Sequence, residues 1–385
     1  MAISIKDSID GAFGRHETFT IRYGWLKRGF DHAVADPSLF YSDDAHHRLG
    51  VGKNMAKSIR FWLSAARLME EVPAVDNSRR TVMVPTYFGL ALLNGRATVD
   101  TTRYELGLSQ VAPAFVGVEG FDPFLERLES WWLIHWMMLS PHSRLPVWWT
   151  AFNTFGAVSF TPEVLLDHVL AQIEATAAWN SPRPPSQSTV KKDVLALLRA
   201  YAGTLGSRKA DKLDDTIDAP MVPLSLVRAA GSGFRFAVGR KPGMSPAVVA
   251  FACLDFLDRT GFTARSALIS SLANEVGGPG KAFKLAERDL VEMLQEAAAE
   301  QPNLIAVSST ASSPTLVTVS EGGLRTVASK LLARHYGSPT YTDETVTELN
   351  ATVSSDIVPA LDGGQNGSTD QGKGSVRAVS QTRLF

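Results

Sequence analysis

One cysteine in 385 residues excludes a disulfide or a thiolate zinc site within a single chain. Cys253, inside the apolar run VVAFACLDFL, reads as a small buried hydrophobe. Net charge is −1, so overall basicity cannot attract a polyanion. If nucleic acid is the partner, positive charge must be concentrated locally. No apolar run approaches the ~18 residues that a membrane span needs, since WWLIHWMML is short and carries His135. The opening MAISIKDSIDGAFGRHE has neither a basic leader nor an apolar signal core, and a soluble cytoplasmic protein without a membrane partner is expected. With 45% hydrophobic and 20% charged residues, most of the chain should fold as ordinary globular protein in two or three domains.

Several catalytic signatures are also missing. Gly50, Gly52 and Lys53 invite a phosphate-loop reading, but the remaining required positions hold His47 and Asn54. These glycines instead permit a tight turn whose amides, with Lys53 and a helix start, suit one phosphate. Gly231, Ser232 and Gly233 lack nucleophile-elbow spacing. The His-hydrophobe-His pair of rolling-circle nickases is absent.

What is present is organised around Leu49–Met69, LGVGKNMAKSIRFWLSAARLM. At about 100° per residue, Met55, Ile59, Trp62, Leu63 and Ala66 share one helix face, while Lys53, Lys57, Arg60 and Ser64 share the other. Upstream, DDAHHRLGVG reads as a short helix and a glycine turn. Before it, YGWLKRGFDHAV places Trp25, Leu26, Phe30 and Val34 on one face, and Val82–Val84 read as a following strand. That order is a winged helix over residues 10–83, with Lys53, Asn54, Lys57 and Arg60 on its DNA-reading helix. The plainer alternative is a solvated basic face.

Residues 84–205 read as a helical block with five tryptophans, Trp131, Trp132, Trp136, Trp148 and Trp149, that serve as core more than as base-stacking platforms. Thr161 and Pro162 open one helix there. Ser188 caps another, STVKKDVLALLRAY, whose Lys191 and Lys192 make it a second helix-turn-helix candidate. Residues 206–218 form a charged linker. Residues 219–337 supply three helices, a hairpin from LIAVSST and TLVTVSE, and a last helix. This is a second winged-helix order, but its acidic helix suits assembly more than DNA. From residue 338 to 385 the composition predicts a disordered tail. The expected fold class is therefore mainly α with small β wings, in a multi-domain arrangement.

Two clusters have reactive chemistry. Asp43, Asp44, His46 and His47 are the compact group with metal-ligand types, suited to Mg2+ or Mn2+. Adjacent histidines cannot face one way on a helix, however, and a polar helix start capped by Asp43 or Asp44 is the plainer reading. His16 and Glu17, with Tyr23 nearby, form the candidate catalytic group.

The segment HETFTIRYGWLKRGFD, followed by LGVGKNMAKSIRFWLSAARLMEE, DPFLERLESWWLIHWMM, WWTAFNTF and PSQSTVKKDVLALLRAY, resembles a bacterial domain-of-unknown-function family over roughly residues 12 to 300. That family includes the SspB-type subunit of single-stranded DNA phosphorothioation systems, which serve in anti-phage defence. The resemblance implies a metal-dependent nicking endonuclease that opens one strand of double-stranded DNA for backbone sulfur insertion. It also implies a cysteine desulfurase, an ATPase and a sulfur-inserting enzyme as partners, and a homodimer is allowed. A non-catalytic sequence-recognition adaptor and a transcriptional regulator are the competing readings.

Overall fold

The structure is a computed structural model that describes residues 13–74, 79–94, 119–176, 184–203, 218–310 and 313–337. The expected 338–385 tail and nearly all of the expected 206–218 linker lie outside the described residues. Helices predominate over three small antiparallel sheets, giving a mixed α/β fold.

The first part runs α1 (Trp25–Ala35), a 3-10 turn (Leu39–Tyr41), α2 (Ala45–Arg48), α3 (Lys53–Ala65), β1 (Met69–Pro73) and β2 (Thr81–Pro85). The strands pair from Met69 opposite Pro85 to Pro73 opposite Thr81. Helix α3 occupies the middle of the Leu49–Met69 stretch, after the expected glycine turn. Gly50 at φ 62° turns the chain before it, and Arg67 at φ 56° breaks the helical path after it. Arg67 is buried and donates to the carbonyls of Met137 and Ser140 at 3.0 and 3.2 Å, and to that of Pro141. Those distant carbonyls fix the break, and MEEVP continues as a strand that local periodicity does not announce.

Thr86 caps α4 (Tyr87–Leu93) by accepting from Gly89 N at 2.9 Å. Next come α5 (Leu128–Leu139) and α6 (Pro146–Asn153), which bury all five tryptophans of this block at 2% exposure or less. The core reading of these residues holds. Strand β3 (Ser159–Phe160) and α7 (Pro162–Ala175) follow, the latter capped by Thr161 as expected. Helix α8 (Gln187–Ala202) is capped by Ser186, whose side chain accepts from Thr189 N; Ser188 lies inside the first turn.

Strands β4 (Val227–Ala230) and β5 (Gly233–Phe236) join β3 in the order β3-β5-β4. The last part contains α9 (Pro246–Arg259), β6 (Ser266–Leu268), α10 (Ile269–Asn274), α11 (Pro279–Phe283), α12 (Glu287–Glu300), β7 (Ile305–Thr310), β8 (Ser313–Thr318) and α13 (Leu324–Tyr336). The segment FTARSALISSLANEVGGPGKAF, the second of the three helices expected in residues 219–337, divides into β6, α10 and α11. Ser266–Leu268 pairs with β8 instead, and Gly277 turns at φ 82°. Burial keeps Cys253 thiol-protonated by pushing its pKa up, as its apolar surroundings predict.

One apolar cluster runs from Ile21 to Ala333 through every part described. Polar links cross it. His135 Nε2 donates to Ala282 O at 2.9 Å, and Tyr201 Oη lies 2.7 Å from Nδ1 as its donor. Burial pushes the His135 pKa down to about 3. Lys241 Nζ donates to the carbonyls of Phe283 and Lys284, while Lys284 Nζ donates to Phe152 O at 2.7 Å and sits 4.3 Å from the Phe236 ring. These lysines satisfy the open carbonyls at the ends of α11 and α6.

Candidate nucleic-acid interface

The site is built on the turn Gly14–Phe19, wedged between α3 and α8. Asp193, on the buried side of α8, accepts from Gly14 N at 3.0 Å and from His16 Nε2 at 2.9 Å. Ser58 of α3 donates to His16 O at 3.0 Å, and Trp62 Nε1 donates to Phe19 O at 3.2 Å. The imidazole stacks on Trp62 at 5.9 Å and meets Trp148 edge-on at 5.7 Å. At 1% exposure, His16 is an internal pin between two helices.

The next residues are strained. Glu17 and Thr18 have φ of 50° and 70°, a left-handed pair costly for a β-branched threonine, at about 1–3 kcal/mol per residue. The surrounding contacts hold them there. Arg199 of α8 donates to Thr18 O at 2.7 Å, and Glu17 lies 3.9 Å from Lys57 Nζ of α3. Thus the two helices expected separately to carry positive charge meet at one turn. Lys53, Asn54 and Lys57 are exposed on α3, and Lys191, Lys192 and Arg199 on α8. Gly52 caps α3 without a side-chain bond, so its first-turn amides face outward beside Lys53.

Other expected residues lie apart from this arrangement. Arg60 is bound in a fork to Glu71, at 3.1 Å for both contacts, and covers the Tyr41 ring at 4.3 Å. It joins α3 to β1. Tyr23 packs edge-on against Trp131 at 5.6 Å, and its backbone N donates to Asp218. Burial and the Asp218 carboxylate push its phenol pKa up.

Asp44 accepts from Ser42 Oγ at 2.6 Å, a bond that lowers its carboxyl pKa. The His46 and His47 rings lie 4.0 Å apart. Among the described residues no group of three or more His, Cys, Asp and Glu converges as a metal cage, so the Asp43–His47 stretch does not fit a metal ion as it stands.

Asp193 is the site residue that sequence reasoning missed. A signal was there, because Asp193 falls on the α8 face that carries Val190, Val194 and Leu197, where an acid needs a partner.

The chain is similar to two crystal structures, one of SspB and one of magnesium ion-bound SspB. Each is 28% identical with a TM-score of 0.72, and the match covers 90% of this chain and 96% of the other. No curated protein sequence matches significantly. The family model described as a protein of unknown function (DUF4007) matches residues 13–336, and the chain belongs to that family.

Proposed function

We propose that this protein is the DNA-binding subunit of a bacterial phosphorothioation system and grips duplex DNA along the surface where α3 and α8 meet. The observation that carries this reading is that Lys57 of α3 and Lys192 and Arg199 of α8 flank one strained turn, with Lys53 and Asn54 exposed one helical turn away and Lys191 exposed on α8, in a chain similar to SspB over 90% of its length. Two orders of elements support winged-helix modules. One is α1-α2-α3 followed by the β1-β2 hairpin. The other runs from α9 to β8 with the sheet order β6-β8-β7. In the second, α12 carries Glu287, Asp289, Glu292 and Glu296; Glu292 pairs with Arg288 and Glu296 with Arg240, a mixed-charge face suited to protein partners. His16 acts in this reading as a positioning residue that sets the turn.

Within such a system the subunit would open one strand so that sulfur can enter the backbone; the magnesium ion-bound SspB structure favours a divalent cation as the group to supply, while the described residues assemble no cage for it. Supercoiled plasmid should relax with Mg2+ or Mn2+ and stay supercoiled in EDTA. Tight duplex binding without relaxation assigns the adaptor role instead. Binding to a single promoter site without association with the desulfurase, ATPase or sulfur-inserting enzyme assigns the regulator role.

The binding surface itself is tested by fluorescence anisotropy on a duplex across a KCl series. Lys53→Glu with Lys57→Glu should lower affinity at least about tenfold and reduce the log–log salt slope by about 2. Arg60→Ala should leave affinity within about twofold, because its guanidinium already faces Glu71. Unchanged affinity in the double variant overturns the surface.

A further inference from the structure

Beside the strained turn, the structure opens a groove of about 440 Å³ between α8, the start of α7 and the β4–β5 turn. Its size falls within the ~300–1,000 Å³ of small-ligand sites. Leu195, Leu198 and Phe234 supply an apolar floor, while Lys192, Arg199 and Ser232 supply polar groups. No acid lines it. Leu195 keeps 40% of its surface exposed on α8, an apolar side chain left facing the opening.

Among the described residues Lys192 forms no ion pair, and Arg199 donates one nitrogen to Thr18 O. An apolar floor under two cations fits a ligand with a flat apolar body and an anionic group. We propose that the groove binds one unpaired nucleotide of a DNA strand, with its phosphate between Lys192 and Arg199 and its base against Leu195 and Phe234. Base stacking on apolar and aromatic side chains is tolerant of sequence, and phosphate contacts fix position. Bases inside a duplex are unavailable to such a floor, so the groove selects an unstacked nucleotide.

This inference rests on the reading that the adjoining α3–α8 surface holds DNA, and it assigns the groove to a nucleotide leaving that duplex. The probes are a fluorescein-labelled five-nucleotide oligo-dT and a labelled duplex, each titrated with the full chain. Ser232→Trp fills the groove from an exposed turn position, and Leu195→Glu places a like charge beside the phosphate. Far-UV circular dichroism and thermal melting identify which of the two variants is folded.

Either folded variant should lose at least tenfold in oligo-dT affinity while duplex affinity stays within twofold. Lys53→Glu with Lys57→Glu should do the reverse. A wild-type chain that fails to bind oligo-dT, or a folded groove variant that binds it unchanged, overturns the proposal. A wild-type chain that binds oligo-dT but not the duplex counts against the α3–α8 surface and leaves the groove standing.

Discussion

At the scale of single residues, Asp193 has the largest consequence for its size. It is 2% exposed and is the acceptor for both Gly14 N and His16 Nε2. In Asp193→Asn one carboxylate oxygen becomes an NH2 group, and one of the two donors then faces another donor. A buried charged acceptor lost in this way costs about 1–3 kcal/mol. Urea unfolding should show that loss, and duplex affinity should fall with it because Glu17 and Thr18 are no longer held beside α3 and α8. Normal stability with normal affinity would deny Asp193 this role. The acid's burial was legible in α8, since it interrupts an apolar stripe. Its partner was not, because His16 lies 177 positions away and no local pattern couples the two. Similarly, the basic face of α3 was legible as a row, but the removal of Arg60 from that row depended on Glu71 arriving from a strand that local periodicity does not announce.

At the scale of elements, close approach decides more than propensity. A Cβ at Gly89, in α4, would stand 2.0 Å from Leu68 O. The Leu68 backbone cannot swing aside as a side-chain end would, and the buried Phe30 ring stands 2.9 Å away, so Gly89→Ala should destabilise by at least about 1–3 kcal/mol. Gly156→Ala, with nothing within 4 Å, provides the comparison, and a chemical denaturation series distinguishes them. Elements with strong periodicity or clear caps were legible, as α7 behind Thr161 and the continuously apolar α5 demonstrate. Those set by distant contacts were not. Strand β1 follows a break fixed by Arg67 and carbonyls seventy or more positions away, and β6 exists because β8 lies beside it. The hairpin β4–β5 is short and glycine-flanked, too brief for alternation to stand out.

At the scale of the whole molecule, three buried cation-forming groups give stability a pH dependence. Burial pushes the pKa of Lys241 down to about 7 from the ordinary 10.5, and Lys284 shifts likewise to about 7. Between these values the unfolded chain holds protons that the folded chain has released, so stability rises with pH over that interval. His135 adds a lower limb. Its folded pKa of about 3 lies below the ordinary 6.5, so stability falls as pH drops from about 6.5 toward 3. Thermal melting across pH should show both limbs, and Lys241→Met should flatten the upper one; a melting temperature that declines steadily from pH 7 to 10 would contradict the assignment.

The pin between His16 and Asp193 also has a consequence for how the chain is made. Lys53 and Lys57 leave the ribosome long before Asp193 does, so a nascent chain displays the charges of α3 while the turn that frames them is still unanchored. In the proposed reading, DNA affinity is therefore a property of the finished chain, and fragments released early in synthesis carry the basic residues without the surface they form.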